Sequence, residues 1–306
     1  MIPLEHVVLT RFSVVFTAGQ PTPEDAWLRY RLGFFRDATV ASLRSQTSTG
    51  SSWLVFLDDR APDWLRSEMA ELSSDGLFDA VYVRGPFSAE VVRAEIVQRV
   101  DPAAALLTTR LDSDDALGRR FVETVRREAS AALVQGVGED GLYLNCTRGL
   151  QIDRSGAVFR YDYASNPFIS LLEPPRGALG PRTVLQDGRH SSSRLHAPVR
   201  SIRAEPLWLQ VVHGSNLMND IRGVRIGPAA VDRSFGIDLE YRRSTGAALL
   251  AGESLLSRLA LLRLWWRSPG LARQFAEGRL EWLRGTRTAP RRPPRSRSRR
   301  YPGSHG

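Results

Sequence analysis

The first hundred residues alternate between short apolar runs and stretches with apolar positions every three to four residues. That is the pattern of a mostly parallel sheet joined by crossover helices. Residues 6–16 (HVVLTRFSVVF) are β-branched and apolar, with a break near Arg11. Thr22-Pro23-Glu24-Asp25 supplies a hydroxyl cap, a proline for the first helical position and acids for the first turn. The helix behind it carries Trp27, Arg31, Phe34, Ala38 and Ala41 on one face. Residues 52–57 (SWLVFL) read as a buried second strand ending in Asp58-Asp59. A helix on Leu65, Met69 and Leu72 follows, then a short strand over 80–83, a helix on Val92, Ile96 and Val100, and a strand over 104–111 that runs straight into Asp112-Ser113-Asp114-Asp115.

Beyond that acidic cluster, Phe121, Val125 and Ala129 continue a helix and the pattern turns to β. Residues 141–146 read as a strand, and 150–152 with 157–161 flank Asp153-Arg154-Ser155-Gly156 as a hairpin. Residues 172–203 are rich in Pro, Gly, Ser and Arg and predict a long loop over the site; 207–212 (LWLQVV) form a last apolar strand, with His213-Gly214-Ser215-Asn216 at its end. A helix crowded with leucine and tryptophan spans 255–266. The expected organisation is one α/β domain over 1–284, with a nucleotide-binding half over about 1–130, an acceptor half over about 131–250 and C-terminal helices over about 252–284. A disordered tail over 285–306 is expected to follow.

Composition narrows this picture. The net charge of +9 is concentrated in residues 284–306, which hold eight arginines and no acid, so the preceding 283 residues are close to neutral. The chain has no lysine, which excludes a Walker-type phosphate loop and a Schiff-base lysine. The single cysteine, Cys146, excludes an internal disulfide and a cysteine-based zinc cluster and fits a reducing compartment. No run reaches the roughly 20 apolar residues of a spanning helix. The first residues lack the features of a secretory signal, so a cytoplasmic protein is expected.

In an open α/β sheet, ligands sit beyond the carboxyl ends of the strands. Three predicted strands end there in polar groups: Thr10-Arg11, Asp58-Asp59, and Arg110 with Asp112 to Asp115. The three closely spaced carboxylates repel one another, and a bound cation would neutralise them; magnesium or manganese favours such oxygen ligands together with substrate phosphates. A metal on a diphosphate stabilises a leaving group, and Arg84 and Arg110 could add positive charge around the same phosphates. The bland alternative is that Asp112 or Ser113 caps the following helix.

The residues Trp53-Leu54-Val55-Phe56-Leu57-Asp58-Asp59 and Leu106 to Asp115 resemble the nucleotide-binding half of the glycosyltransferase A fold. His6-Val7-Val8-Leu9-Thr10-Arg11-Phe12, Thr109 to Leu117, Tyr163-Ala164-Ser165-Asn166-Pro167-Phe168 and Trp208 to Asn216 together resemble the bacterial rhamnosyltransferase family, over about residues 6–219. The resemblance implies a glycosyltransferase-A-like fold with a mostly parallel central sheet, and transfer of a sugar, rhamnose among the options, from a pyrimidine-nucleotide donor to a glycan or lipid-linked hydroxyl. It assigns metal and donor binding to Asp112 and Asp114, the base and ribose to Thr10, Arg11 and Asp58, and a further metal or phosphate contact to His213. Asp59 and Asp115 neighbour these positions and join the donor-binding set.

An inverting transfer needs a group to take the acceptor's proton. Glu173, Glu205, Asp153 and His196 lie in the acceptor half, and Glu173 is the choice because it follows an apolar run and begins the predicted loop. Trp265, Trp266 and Trp282, with Leu255, Leu256, Leu259, Leu262, Leu264 and flanking arginines, suit peripheral contact with an anionic membrane through the C-terminal helix and tail, while core packing or a partner helix suits the leucines equally. A metal-dependent phosphoesterase or nucleotidyltransferase would use the same acids. A nucleic-acid-binding protein would use the arginine tail, but the near-neutral remainder and the lack of a nucleic-acid motif argue against specific nucleic-acid binding.

Overall fold

The computed structural model describes residues 2–164, 166–175, 177, 180–186, 190–214, 220–237 and 245–287. Its first half is the predicted alternation. Strand β1 (Leu4–Arg11) leads to α1 (Asp25–Phe34), a π-helical stretch (Phe35–Val40) and a further turn, α2 (Ala41–Arg44). Next come β2 (Ser52–Asp58), α3 (Asp63–Leu72), β3 (Asp79–Val83), α4 (Ala89–Val97) and β4 (Ala105–Arg110). The acidic segment then feeds a two-residue strand, β5 (Ala116–Leu117), and the long helix α5 (Phe121–Gln135).

The second half is β-rich: β6 (Leu142–Cys146), the hairpin β7 (Arg148–Asp153) and β8 (Val158–Asp162), β9 (Ser170–Glu173), β10 (Val199–Arg203), β11 (Trp208–Val212) and β12 (Val224–Ile226). Helices α6 (Ala229–Ser234), α7 (Ala247–Arg267) and α8 (Pro269–Arg284) follow, and β13 (Thr286–Arg287) closes the described chain.

Two sheets organise these elements. The larger has the order β13-β10-β6-β9-β4-β1-β2-β3, parallel except for β9. Strands of such a sheet are covered on both faces, and the sequence obeys that rule. Val8, Val55, Leu57 and Leu107 face a core shared with Leu28 and Phe35, Leu65 of α3 and Phe121 of α5, while Val7, Leu9, Leu54, Phe56 and Leu106 face Val92 and Ile96 of α4. The smaller sheet has the order β12-β8-β7-β11-β5. Leu150, Ile152, Val158, Leu209 and Val211 bury its apolar side against Val231 and Phe235 around α6.

Trp208 joins the two sheets. Its indole N–H donates to the Cys146 carbonyl at 2.7 Å and its ring stacks on Phe168, with centroids 5.0 Å apart. Only glycine fits opposite it, because a Cβ at Gly149 would run into the Trp208 ring.

Several boundaries differ from the sequence reading: β1 ends at Arg11 rather than 16, and α1 begins at Asp25 with Glu24 as its N-cap and no side-chain cap bond, so Thr22 and Pro23 do not start it. Residues 172–203 are not a continuous loop: β9 ends within the segment, and β10 pairs with β6 in register Val199 to Tyr143. Polar Ser201 and the arginines of β10 hide a strand whose buried positions are few. Thr286 and Arg287, placed in the tail by the sequence reading, pair with Ile202 and Arg203. The rest of the predicted tail, 288–306, lies outside the described residues. Helix α7 starts at Ala247 rather than near 255.

Candidate functional site

Strands β1, β2 and β4 end on the same edge of the large sheet, because they are parallel neighbours with Arg11 opposite Phe56 and Arg110 opposite Leu9. Leu111 extends β4 by one residue, its N–H donating to the Leu9 carbonyl at 3.1 Å. The chain then turns from one sheet toward the other, which separates the acids of the Asp112 to Asp115 segment into three environments.

Asp112 stays on the large-sheet edge, partly exposed. Arg110 donates to both of its carboxylate oxygens at 3.0–3.2 Å, and Arg11 lies 3.7 Å away. Burial disfavours its charge, but the fields of Arg110 and Arg11 and the Arg110 hydrogen bond outweigh it and hold the carboxyl below its ordinary range. Arg11 is itself lowered from its usual value, first by burial and then by Arg110 beside it. Two guanidiniums therefore share one carboxylate at the mouth of the sheet.

Asp114 points the other way and is buried. Its Oδ2 accepts from Arg31 of α1 at 2.7 Å and lies 2.8 Å from Nε2 of His213. Arg31 also donates to the Ser113 hydroxyl at 3.0 Å. His213 leaves the end of β11 and is 1% exposed. Its ring stacks on Phe34 at 4.2 Å and meets the edge of Tyr30 at 5.5 Å, while Tyr30 donates its hydroxyl to the His213 carbonyl at 3.0 Å. Arg154 of the β7–β8 hairpin donates to the same carbonyl. The strand exits through Gly214 at φ +86, where an added Cβ would also strike the Arg154 guanidinium.

Asp115 is structural. Its Oδ1 accepts from the Val211 N–H at 2.9 Å and its carbonyl accepts from Thr39, tying the end of β4 to β11 and to the π-helical stretch. Burial, followed by the charges of Asp114 and Asp112, pushes its carboxyl well above the ordinary range. The donor-binding role read from the sequence is therefore withdrawn for Asp115.

Other sequence assignments change as well. Thr10 is fully buried and its hydroxyl accepts from the Trp53 indole at 2.9 Å, so it faces the core rather than a ligand. Asp58 is at the predicted strand end, but Arg60 donates to both of its oxygens at 2.7–3.0 Å through backbone and side chain. That hydrogen bonding, opposed by burial, lowers its carboxyl. Asp59 is half-buried at the same turn, with its carbonyl accepting from Arg66. Arg84 is exposed just after β3, on the same edge but three strands from β4.

Glu173 is corrected outright. Because β9 is antiparallel, Glu173 sits opposite Leu106, at the amino end of β4. Six residues of strand separate that level from Asp112, about 20 Å. It is buried there, 4.0 Å from Arg182. Glu205 lies at 3.5 Å from Arg120, and His196 is exposed after a 3-10 turn.

A cleft of about 210 Å³ opens beside His213, lined by Tyr30, Phe34, Asp153, Arg154, Val211 and Val212. Asp153 is the one of the four proton-accepting candidates that lines it; its Oδ1 accepts from the Ser155 N–H and hydroxyl and the Ala157 N–H, which fixes the hairpin turn.

Among the described residues no group of three His, Cys, Asp or Glu side chains converges. Asp114 and His213, 2.8 Å apart, could offer one carboxylate oxygen and one imidazole nitrogen to a cation whose other positions go to phosphate oxygens and water. Asp112, grouped with them from the sequence, is turned to Arg110 and Arg11 instead, away from the imidazole. The sequence reading missed Arg31, Tyr30 and Phe34. The signal was there in part, since Arg31 interrupts an otherwise apolar helix face, and such a charge requires a buried partner.

Residues 5–225 match the family model described as "Putative rhamnosyl transferase". No curated protein matches the sequence. Among solved structures, the chain is similar to residues 1–349 of S. aureus TarS, at 12% identity over 68% of this chain and 60% of that one, with a TM-score of 0.38. The same fragment in complex with UDP gives 11% identity, 68% and 60% coverage and a TM-score of 0.39. A longer TarS structure gives 9% identity, 69% and 37% coverage and a TM-score of 0.38. The chain thus spans less than two thirds of the length of these structures.

Proposed function

The chain belongs to the putative rhamnosyl transferase family, and from that premise we propose that it is a glycosyltransferase that moves a sugar, rhamnose in the simplest reading, from a pyrimidine-nucleotide donor to a hydroxyl of a glycan or lipid-linked acceptor. The observation that carries this reading is the convergence of Asp114, from the segment after β4 of the large sheet, and His213, from the end of β11 of the small sheet, with Asp112 of the same segment held by Arg11 and Arg110.

In this reading Arg11 and Arg110 take the donor diphosphate, with Asp112 holding both guanidiniums in place until the phosphates arrive. Asp114 and His213 would hold manganese or magnesium. Such an ion supplies Lewis-acid stabilisation to a departing diphosphate. Arg31 fixes the Asp114 carboxylate, and Phe34 and Tyr30 fix the imidazole plane, so the pair costs little to organise when the donor binds. Asp58 and Asp59, at the end of β2, are placed to meet the nucleoside once Arg60 turns outward. Asp153, across the cleft, takes the proton from the acceptor hydroxyl. The apolar walls of Tyr30, Phe34, Val211 and Val212 exclude water from the sugar.

The buried free thiol of Cys146 fits a cytoplasmic location as part of the same reading. Among the described residues no helix is long and apolar enough to cross a membrane.

The test is product analysis by mass spectrometry with a panel of nucleotide sugars, manganese and mixed glycan and lipid-linked acceptors. A glycosylated acceptor that disappears with Asp114→Ala supports the proposal. Donor cleavage with no glycosylated acceptor under any condition would favour the phosphoesterase reading instead.

A further inference from the structure

Helix α7 meets the protein along one side only. Leu261 is buried, Ser257 accepts from the Arg225 N–H at 3.0 Å, Glu253 accepts from the Arg225 side chain at 3.0 Å, and Trp265 lies 4.9 Å from Phe275 of α8. The opposite side carries Leu255, Leu259, Leu262 and Trp266 at spacings of four, three and four residues, which places them in a single row on a helix. They are 58%, 45%, 55% and 87% exposed. Scattered exposed leucines are ordinary on a protein surface, but four large apolar side chains in line are not.

Charge selects the occupant of this face. Arg258, Arg263 and Arg267 flank the row and are exposed. The one acid of α7, Glu253, is turned inward to Arg225. Residues 285–306, which follow α8, add seven arginines and no acid. An apolar row with a terminal tryptophan, bordered by arginines and free of outward acids, is the arrangement that lies in the interface of an anionic membrane. A second copy fits less well, because a two-fold pairing of this face would set arginines against arginines. The helix does not meet the requirements of a spanning segment.

We propose that the outward face of α7 docks on an anionic lipid surface, with the row from Leu255 to Trp266 entering the headgroup and acyl boundary. This stands independently of the glycosyl-transfer reading, since no residue of the face belongs to the site around Asp114.

The experiment is co-sedimentation of the full chain with vesicles of equimolar phosphatidylglycerol and phosphatidylcholine, and with phosphatidylcholine alone. The proposal expects binding to the mixed vesicles and little to phosphatidylcholine. A Leu255→Ser, Leu259→Ser, Leu262→Ser triple variant, with the tail intact, should lose roughly tenfold or more in affinity. A chain ending at Arg287 should retain the part of the binding carried by the apolar row, with a weaker dependence on salt than the full chain. Wild-type binding equal to that of the triple variant would overturn the proposal, because the tail alone would then carry it. Self-association that the triple variant abolishes, seen by sedimentation equilibrium without vesicles, would overturn it in favour of an interface between copies. If the triple variant fails to fold, as read by circular dichroism, quenching by brominated lipid decides: wild type should lose more fluorescence than Trp266→Phe. Equal quenching in the two would overturn it.

Discussion

The two sheets present different edges to the same site. The large sheet offers partly exposed charge: Arg11, Arg110 and Asp112 at the ends of β1 and β4, arranged as two cations around one anion. The small sheet offers His213 and Asp153 within an apolar cleft, with the imidazole held by aromatic rings. A guanidinium pair at the surface can release its carboxylate and accept phosphate with little rearrangement. A buried imidazole against a buried carboxylate has a fixed geometry and a low local dielectric, which strengthens whatever charge it meets. Binding should therefore depend most on the first edge and chemistry most on the second.

The largest expected effect tests the second edge. Asp114→Ala should reduce turnover roughly hundredfold to a thousandfold, in line with the loss of one preorganised electrostatic contact. Steady-state kinetics on the glycosylated acceptor reads it, and a smaller than fivefold loss would break the assignment. Asp153→Asn should cost about a hundredfold in turnover while donor affinity stays unchanged, as for loss of a general base. Reduced donor affinity with normal turnover would instead leave Asp153 as a turn-forming residue only.

How far the sequence went differs along the same line. The apolar runs of β1, β2 and β4 are continuous because both faces of a parallel sheet are buried, so their ends, and with them Arg11, Asp58 and Arg110, were legible from the pattern. Which oxygen faces which partner was not. Thr10 alternates inward onto Trp53 although its neighbour Arg11 points out, and a one-residue difference in facing reverses the role. The small sheet was harder to read because its strands mix parallel and antiparallel neighbours and are short. In the large sheet, Glu173 looked placed for catalysis only while β9 had no direction; its antiparallel pairing with β4 carries it to the far end. Arg31 was visible as a charge on an apolar face, but its partner lies 83 residues away and needs the fold to be named.

Arg31 sharpens the comparison from outside both sheets. It touches Asp114 and Ser113 without lining the cleft, so Arg31→Ala should weaken manganese-dependent donor binding roughly tenfold to a hundredfold, the usual cost of removing a group that orients a ligand. Titration of manganese at fixed donor checks it, with unchanged manganese affinity counting against a positioning role. Arg110→Ala probes the open edge. It should lower donor affinity about tenfold both with and without manganese, since hydrogen bonds to charged groups contribute about 1.5–3 kcal/mol. An effect seen only with manganese would put Arg110 on the metal side of the site.

The smallest effect on function is expected at Thr10. Thr10→Val leaves the Trp53 indole without its acceptor and should lower unfolding free energy by about 1–3 kcal/mol in urea denaturation, while donor affinity stays at the wild-type value. Loss of donor affinity in a folded Thr10→Val protein would return Thr10 to the binding surface.

The central claim is that Asp114 with His213, rather than Asp112, holds the cation. Calorimetric titration of a pyrimidine nucleoside diphosphate, with and without manganese, tests it in the wild type, Asp112→Ala, Asp114→Ala and His213→Ala proteins. The account predicts that manganese raises affinity in the wild type and in Asp112→Ala, and has no effect in Asp114→Ala or His213→Ala. A manganese response that survives Asp114→Ala and vanishes with Asp112→Ala would contradict it.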